Sequence, residues 1–469
     1  MELDALILSR LQFAFTIAFH IIFPSFTIGL ASYLAVLEGI WFFTKKEAFK
    51  TLYLFWVKIF AISFGMGVVS GVVLSYQFGT NWSRFSEVAG NVAGPLIGYE
   101  VLTAFFLEAT FLGVMLFGRD RVPPWLHFLA CALVAIGTAM SAFWILAANS
   151  WMQYPTGHEV RDGIAYPVDW LEIVFSPTFP LRFVHMLLAA YITTGFVVLA
   201  VGARYLIGDQ HPDYARTMIK MGLGLLIVLV PVQLFVGDQH GLVTKEYQPA
   251  KLAAIEGHWE KEAELEGSVP LVLFAWPNEA TESNDYAIEI PYLGSLILTH
   301  SLSGKILGLK DFAADDRPPV VPVFFSFRIM VGLGFLMLAV AVIGAVLWWR
   351  GRLFEKSRFL GVVQHLWPIG FIAIISGWIV AETGRQPWVV TGVLRTADAA
   401  SPVPAGSVAA SLTLFVLVYG VVFSAGIYYI NRLLVKGPQI LQPGEEGETA
   451  RRPLSYASDE VRAAMQRGE

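Results

Sequence analysis

In this 469-residue chain the residues best placed to do chemistry stand inside long apolar runs: His20, Glu100, Glu108, His185, Met330 and Glu382, with Arg328 and Arg385 close to run ends. An ionisable group in such a run is expensive to bury and marks a pathway, a ligand or a buried pair. A neutral imidazole and a thioether sulfur are the axial donors of a low-spin haem iron, so His185 with Met330 is a chemically sensible pair. A carboxylate or a lone histidine gives a weaker field and leaves the opposite face open to a small gas. Glu100 and Glu108, on one helix, would stand about 12 Å apart and about 80° around its axis. That spacing suits a proton relay better than a metal pair. A haem–copper centre is disfavoured, because copper there needs several more intramembrane histidines than His20 and His185. Each residue also has a plainer use: interfacial hydrogen bonding for a histidine, packing for Met330, and a helix-end ion pair for Glu382 with Arg385.

The elements that must hold these residues follow from composition. Hydrophobic residues make up 56% of the chain and charged residues 15%, against about 25% charged in soluble domains. The numbers exclude a water-soluble globule and a disordered chain. A net charge of -5 offers no basic stripe for nucleic acid, and Cys131, the single cysteine, excludes a disulfide scaffold. Nine runs have the length of about 20 residues that crosses a bilayer: 11–42, 54–77, 93–118, 123–149, 181–207, 217–237, 324–350, 362–381 and 408–435. The fold class is therefore all-α, a polytopic transmembrane helical bundle of about nine spans. The acidic start, Met-Glu-Leu-Asp-Ala, argues for a retained first helix rather than a cleaved signal peptide. Lys and Arg concentrate in the odd-numbered short loops, as in Lys45, Lys46 and Lys50 or Arg350, Arg352, Lys356 and Arg358. This places the N-terminus outside and the C-terminus in the cytoplasm. Four segments result: spans one to six over 1–237, a long extracytoplasmic loop over 238–323, spans seven to nine over 324–436, and a polar cytoplasmic tail over 437–469. Glu38 and Lys58 fall near cytoplasmic span ends, where side chains can snorkel. His20, Glu100, His185, Met330 and Glu382 share one level in the outer half, which suggests a single site fed by five helices.

Several blocks resemble subunit I of the cytochrome bd quinol oxidases. They are Ser9-Arg10-Leu11-Gln12-Phe13-Ala14 leading to His20, Gly79-Thr80-Asn81-Trp82, and Glu100 with Ala104-Phe105-Phe106-Leu107-Glu108. The likeness continues through Trp144 to Gln153, Arg182-Phe183-Val184-His185, Ser326-Phe327-Arg328-Ile329-Met330-Val331-Gly332, and Gly384-Arg385-Gln386-Pro387-Trp388 after Ala381-Glu382. The resemblance implies His185 and Met330 as ligands of a low-spin haem b, His20 as ligand of a haem d, Glu382 as ligand of a high-spin haem b, and Glu100 at or near the distal side of haem d. The allocation of His20, Glu100 and Glu382 between the two high-spin haems stays open, as does a further haem b in place of haem d. Arg328 and Arg385 are implied as partners of haem propionates and Trp378 as an aromatic neighbour.

The long loop resembles the family's quinol-binding loop through Gly237-Asp238-Gln239 and the block from Lys251 to Trp259. A quinol loses two protons as its electrons leave, so Glu256 is the implied acceptor and Lys251 a hydrogen-bond partner of the quinone oxygen. The plainer reading of both is a solvated charged helix. The resemblance implies a bacterial or archaeal cytoplasmic-membrane enzyme that oxidises membrane quinol and reduces dioxygen to water, separating charge without pumping. Glu108 is the expected proton relay, with Ser141 a weaker one; Ala109 stands where some relatives carry a hydroxyl. Expected partners are a second membrane subunit and in some cases a small single-span subunit. The rival readings are a haem-free proton-coupled transporter or channel and a cyanide-insensitive relative without haem d.

Overall fold

A computed structural model describes residues 4–265 and 267–439; from residue 440 on, the expected tail lies outside the described residues. Backbone polar groups in lipid must be satisfied within the segment, and the apolar runs accordingly form long helices. These are α1 (Ala5–Thr44), α2 (Glu47–Thr80), α3 (Ser83–Tyr99) continuing through a π-turn at Glu100–Phe105 into α4 (Phe106–Phe117), and α5 (Pro124–Gln153). After a hairpin of β1 (His158–Arg161) and β2 (Ile164–Pro167) and the short α6 (Trp170–Val174) come α7 (Phe179–Ile207) and α8 (Pro212–Tyr247). The long loop folds as α9 (Pro249–Glu256), a hairpin of β3 (Leu271–Asn278) and β4 (Ser283–Ile290), and α10 (Leu293–Thr299). Then follow α11 (Val320–Trp349), α12 (Arg358–Val363), α13 (Ile369–Thr383), the small β5 (Trp388–Val390) and β6 (Leu394–Arg395) pair, α14 (Thr396–Ala399) and α15 (Ala405–Lys436).

Among the described residues eight helical stretches are long and apolar enough to cross a membrane, the α3–α4 stretch counting as one. The protein is an all-α membrane bundle, in which the eighth expected run differs in length and is the shorter apolar helix α13. The run at 362–381 is not one helix: Pro368 caps α13, and the chain is non-helical between α12 and α13. Proline disfavours helical backbone in the residue before it, so α13 keeps 15 residues, about 22 Å of rise. A second difference lies at the loop boundary. Helix α8 runs on to Tyr247, so Asp238, Gln239 and His240 are helical rather than in the loop.

Helix α1 is the central post, packed against α2, α5, α7, α13 and α15. Asp4 starts it by accepting the Leu6 amide at 2.8 Å, and Lys45 ends it in the left-handed region at φ 55°. Helices in lipid gain little from water exclusion and associate through close packing of small residues. A methyl at Gly29 would come within 2.7 Å of the Ala190 carbonyl on α7, and one at Gly222 on α8 within 2.9 Å of the Gly195 carbonyl. The core of this half is built from Leu30, Leu34, Trp56, Phe60, Phe196 and Leu223.

Candidate functional site

Three polar rungs join α1 to α2. Gln12 Oε1 accepts from Asn81 Nδ2 at 3.1 Å, Gln77 Nε2 donates to Thr16 Oγ1 at 2.6 Å, and His20 Nδ1 lies 3.0 Å from Ser70 Oγ. Positions 12, 16 and 20 recur every fourth residue, which lines them on one helix face. Ser70 Oγ also lies 3.0 Å from the Met66 and Gly67 carbonyls, and when its one hydroxyl hydrogen goes to either of them it accepts from His20 Nδ1–H. Nε2 is then the unprotonated ring nitrogen, the form in which a histidine ligates a metal.

His185 lies in the second turn of α7, beside α8. Its Nδ1 is buried without a partner, its ring is 5.6 Å from that of His240, and Gly237 leaves it room, since a methyl there would approach His185 Cε1 to 3.3 Å. Met330 on α11 points at α13: a methyl at Gly377 would meet Met330 Sδ at 3.0 Å. Trp378, next to Gly377, packs against the cluster of Leu146, Ala147 and Phe179. Met330 thus lies against α13, whereas the neighbours of the His185 ring, Gly237 and His240, are on α8. Among the described residues no three His, Cys, Asp or Glu side chains cluster as a metal site. Solitary donors of this kind suit axial ligation, where a macrocycle supplies the remaining donors.

Glu382 ends α13 inside a polar cluster. It accepts from Asn149 Nδ2 at 2.9 Å and Gln153 Nε2 at 3.1 Å and forms an ion pair with Arg385. Arg182 donates to Asn149 Oδ1. Lys251 donates to Gln153 Oε1 and, at 3.0 Å, to Gln248 Oε1. Arg182, Arg385 and Lys251 are all buried, yet Arg182 Nε and Arg385 Nε and Nη1 have no acceptor. Three cations thus surround one carboxylate, with donors to spare for further anions. Burial, and next the nearby Arg182 charge, holds the Lys251 ammonium well below the usual lysine range, and Glu382 opposes that shift.

Helix α9 is buried throughout Lys251–Glu256, which overturns the reading of a solvated charged helix. It is pinned at its end by Gly257, whose φ of 67° favours glycine, and by Arg328 Nη1, which donates to the Ile255 carbonyl at 2.8 Å. Arg328 also donates to the Phe324, Leu273 and Val272 carbonyls and lies over the Phe324 ring. Its guanidinium is occupied by backbone, whereas Arg182 and Arg385, beside Glu382, keep unpaired donors. Burial pushes the Glu256 carboxyl above its ordinary range, with the Arg328 charge pulling the other way.

The relay pair departs from its expected geometry. The π-turn at Glu100–Phe105 inserts one residue into the helical phase, which removes about 100° of the rotation between positions 100 and 108. Both carboxylates now face α5. Ser141 Oγ donates to Glu100 Oε1 at 2.7 Å, and one turn away a methyl at Gly137 would meet Glu108 Cγ at 2.7 Å. Ser141 therefore partners Glu100 rather than Glu108. No hydrogen bond among the described residues joins His20, Glu100 or Glu108 to the Glu382 cluster. Glu38 does not snorkel either: it is fully buried, paired with Arg119 and, at 2.9 Å, with His127 Nδ1.

Arg182, Asn149, Gln153 and His240 were not singled out from residue types. Arg182 stands at a run end, where an arginine is unremarkable, although it is three positions before His185, and the amides carry no charge to notice in an apolar run.

A polytopic helical bundle that buries isolated imidazole, thioether and carboxylate donors beside a cationic cluster has the build of an integral membrane redox protein. The family model described as cytochrome bd terminal oxidase subunit I matches residues 8–438, and the chain belongs to that family. It is 34% identical to cytochrome bd-II ubiquinol oxidase subunit 1 of Escherichia coli (strain K12), covering 94% of this chain and 98% of the other. It is 35% identical to cytochrome bd ubiquinol oxidase subunit 1 of Bacillus subtilis (strain 168), covering 93% and 95%. Its fold matches the structure of bd oxidase from Geobacillus thermodenitrificans with a TM-score of 0.85, 31% identity, and coverage of 93% of this chain and 99% of that chain. Family membership replaces the transporter and channel readings.

Proposed function

We propose that this chain is the haem-bearing subunit of a membrane quinol:oxygen oxidoreductase that works with a second membrane subunit and, in some assemblies, a small single-span one. The observation that carries the reading is that His185 Nδ1 and the Arg182 and Arg385 donors around the Glu382 cluster are among the buried groups without a partner. A propionate-bearing macrocycle with axial ligation fits that set. His185 and Met330 would hold a low-spin haem b, Glu382 a high-spin haem b and His20 a haem d or a further haem b, with Glu100 beside it; Arg182 and Arg385 would hold propionates. Bound haem supplies one-electron transfer and the binding and reduction of dioxygen.

The chain's own residues do the rest. Lys251 donates a hydrogen bond to a quinol or quinone oxygen. Glu256, ionised, accepts the proton that leaves the hydroxyl, and the release is on the loop side. Glu108 holds the proton destined for water and passes it toward Glu100 and Ser141. Gly137 gives Glu108 its place, and Ala109 offers no hydroxyl to this path. The basic odd-numbered loops support a cytoplasmic supply of that proton, so charge separates across the cytoplasmic membrane without a pump.

The test is an optical spectrum of the purified, dithionite-reduced complex. A Soret band is expected and its absence would refute the reading; a red chlorin band distinguishes haem d from a third haem b. His185→Ala and Met330→Leu should each abolish the low-spin signal, and its retention in either would refute the pairing.

A further inference from the structure

The loop between α8 and α11 presents an unusual surface. Leu273, Phe274 and Trp276 on β3 and Tyr286 and Ile288 on β4 are 46–86% exposed, and Phe274 lies opposite Ile288 in the ladder. A contiguous apolar patch of this kind has a partner.

Depth along α11 identifies it. The 30 residues of α11 rise about 45 Å, against about 30 Å of hydrocarbon. Trp348 and Trp349 stand at its far end, Trp349 86% exposed, in the way tryptophans mark a membrane interface. About 20 residues back from there the other boundary falls near Ile329, so the turn containing Phe324, Phe325 and Arg328 lies at headgroup level. The hairpin is tied to that turn. Arg328 donates to the Leu273 and Val272 carbonyls, and the rings of Phe274 and Trp276 lie 5.9 and 5.6 Å from that of Phe325. The exposed face of α11 continues below it through Ile329 and Phe335, 48% and 60% exposed. The hairpin turn is polar, with Glu279 and Glu282, the latter paired with Arg317 at 2.6 Å.

We propose that the β3–β4 hairpin is seated on the bilayer, its apolar face at the headgroup–acyl boundary of the leaflet on the loop side and its turn in water. Trp276 and Tyr286 act as interfacial anchors, an arrangement the two side-chain types favour. The inference is independent of the haem assignments.

Spin labelling tests it, because Cys131 is fully buried and leaves introduced thiols as the reactive ones in this chain. Ile288→Cys, Tyr286→Cys and Ala280→Cys are labelled in the whole complex in nanodiscs of phosphatidylethanolamine and phosphatidylglycerol, and the signal of the treated parent complex is subtracted. Labels at positions 286 and 288 should collide several-fold more with dioxygen relative to a nickel chelate than the label at 280. An equal ratio at all three overturns the proposal, and so does shielding from both reagents at 288, which would mean a protein partner or a second copy. As a second measurement without cysteines, brominated phospholipids should quench the parent complex more than Trp276→Phe. Equal quenching overturns the proposal as well.

Discussion

A methyl group at Gly377 is expected to unseat Met330. In Gly377→Ala the added carbon would stand 3.0 Å from Met330 Sδ, where ordinary contact is about 3.5–4.0 Å. The sulfur must yield by about half an ångström, and about 0.5 Å is the tolerance within which a ligand constellation holds its geometry. Overpacking of this size costs about 1–3 kcal/mol, which shifts a ligation equilibrium about 5- to 150-fold. The low-spin haem should therefore become a mixture with a high-spin form, read as loss of low-spin absorbance and a new high-spin signal in electron paramagnetic resonance. Gly334→Ala, one turn from Met330 on α11, is the control, because its methyl meets only Leu234 Cδ2 at 3.5 Å. A parental low-spin spectrum in Gly377→Ala would show that Met330 Sδ is free to move and is not a ligand.

Three further outcomes are expected. Glu256 acts in its ionised form and burial raises its carboxyl, so quinol oxidation should fall as pH drops through a value above the ordinary glutamate range. Glu256→Gln should remove that limb and lower turnover with haem content intact, and unchanged turnover would count against the proton role. Gly137→Ala, whose methyl would reach Glu108 Cγ at 2.7 Å, should slow dioxygen consumption at unchanged quinol KM and haem spectrum; full turnover would remove Glu108 from the path. Glu38→Ala leaves Arg119 and His127 buried without their carboxylate and should cost about 3–5 kcal/mol, seen as a lower Tm, whereas an unchanged Tm would mean that the pair adds nothing.

The spans were legible because lipid imposes a single rule, apolar residues over about 20 positions, and that rule shows in composition. The isolated donors were legible for the same reason, as exceptions to it. What escaped depends on backbone phase and on three-dimensional pairing. The π-turn before Phe106 moves Glu108 around the helix without any residue that announces it. The burial of α9 comes from packing against α8 and α11, which its Lys251 and Glu256 do not announce. Arg182 and Arg328 look equivalent in a chain of letters. Only the fold shows that one is occupied by carbonyls and the other holds a free donor.

The charge around Glu382 links the two halves of the proposed chemistry. Arg182 and Arg385 outnumber Glu382, and Lys251 adds a third cation whenever it is protonated. Asn149 and Gln153 supply dipoles but no charge, and an uncompensated charge out of water costs several kcal/mol. Lys251 relieves part of the excess by giving up its proton more readily than an ordinary lysine, since burial and Arg182 both favour its neutral form. Carboxylates of the proposed haem would relieve the rest. The same positive field favours loss of a hydroxyl proton from a quinol beside Lys251, because it stabilises the anion left behind. Glu256, whose carboxyl burial raises above its ordinary range, lies at the far end of α9, away from that field. It can take up the proton without becoming a fourth party to the cluster. On this proposal a cation cluster that anchors acidic groups on one side would also acidify a substrate on the other, and Gln153, bonded to both Lys251 and Glu382, would be the side chain through which the two sides meet.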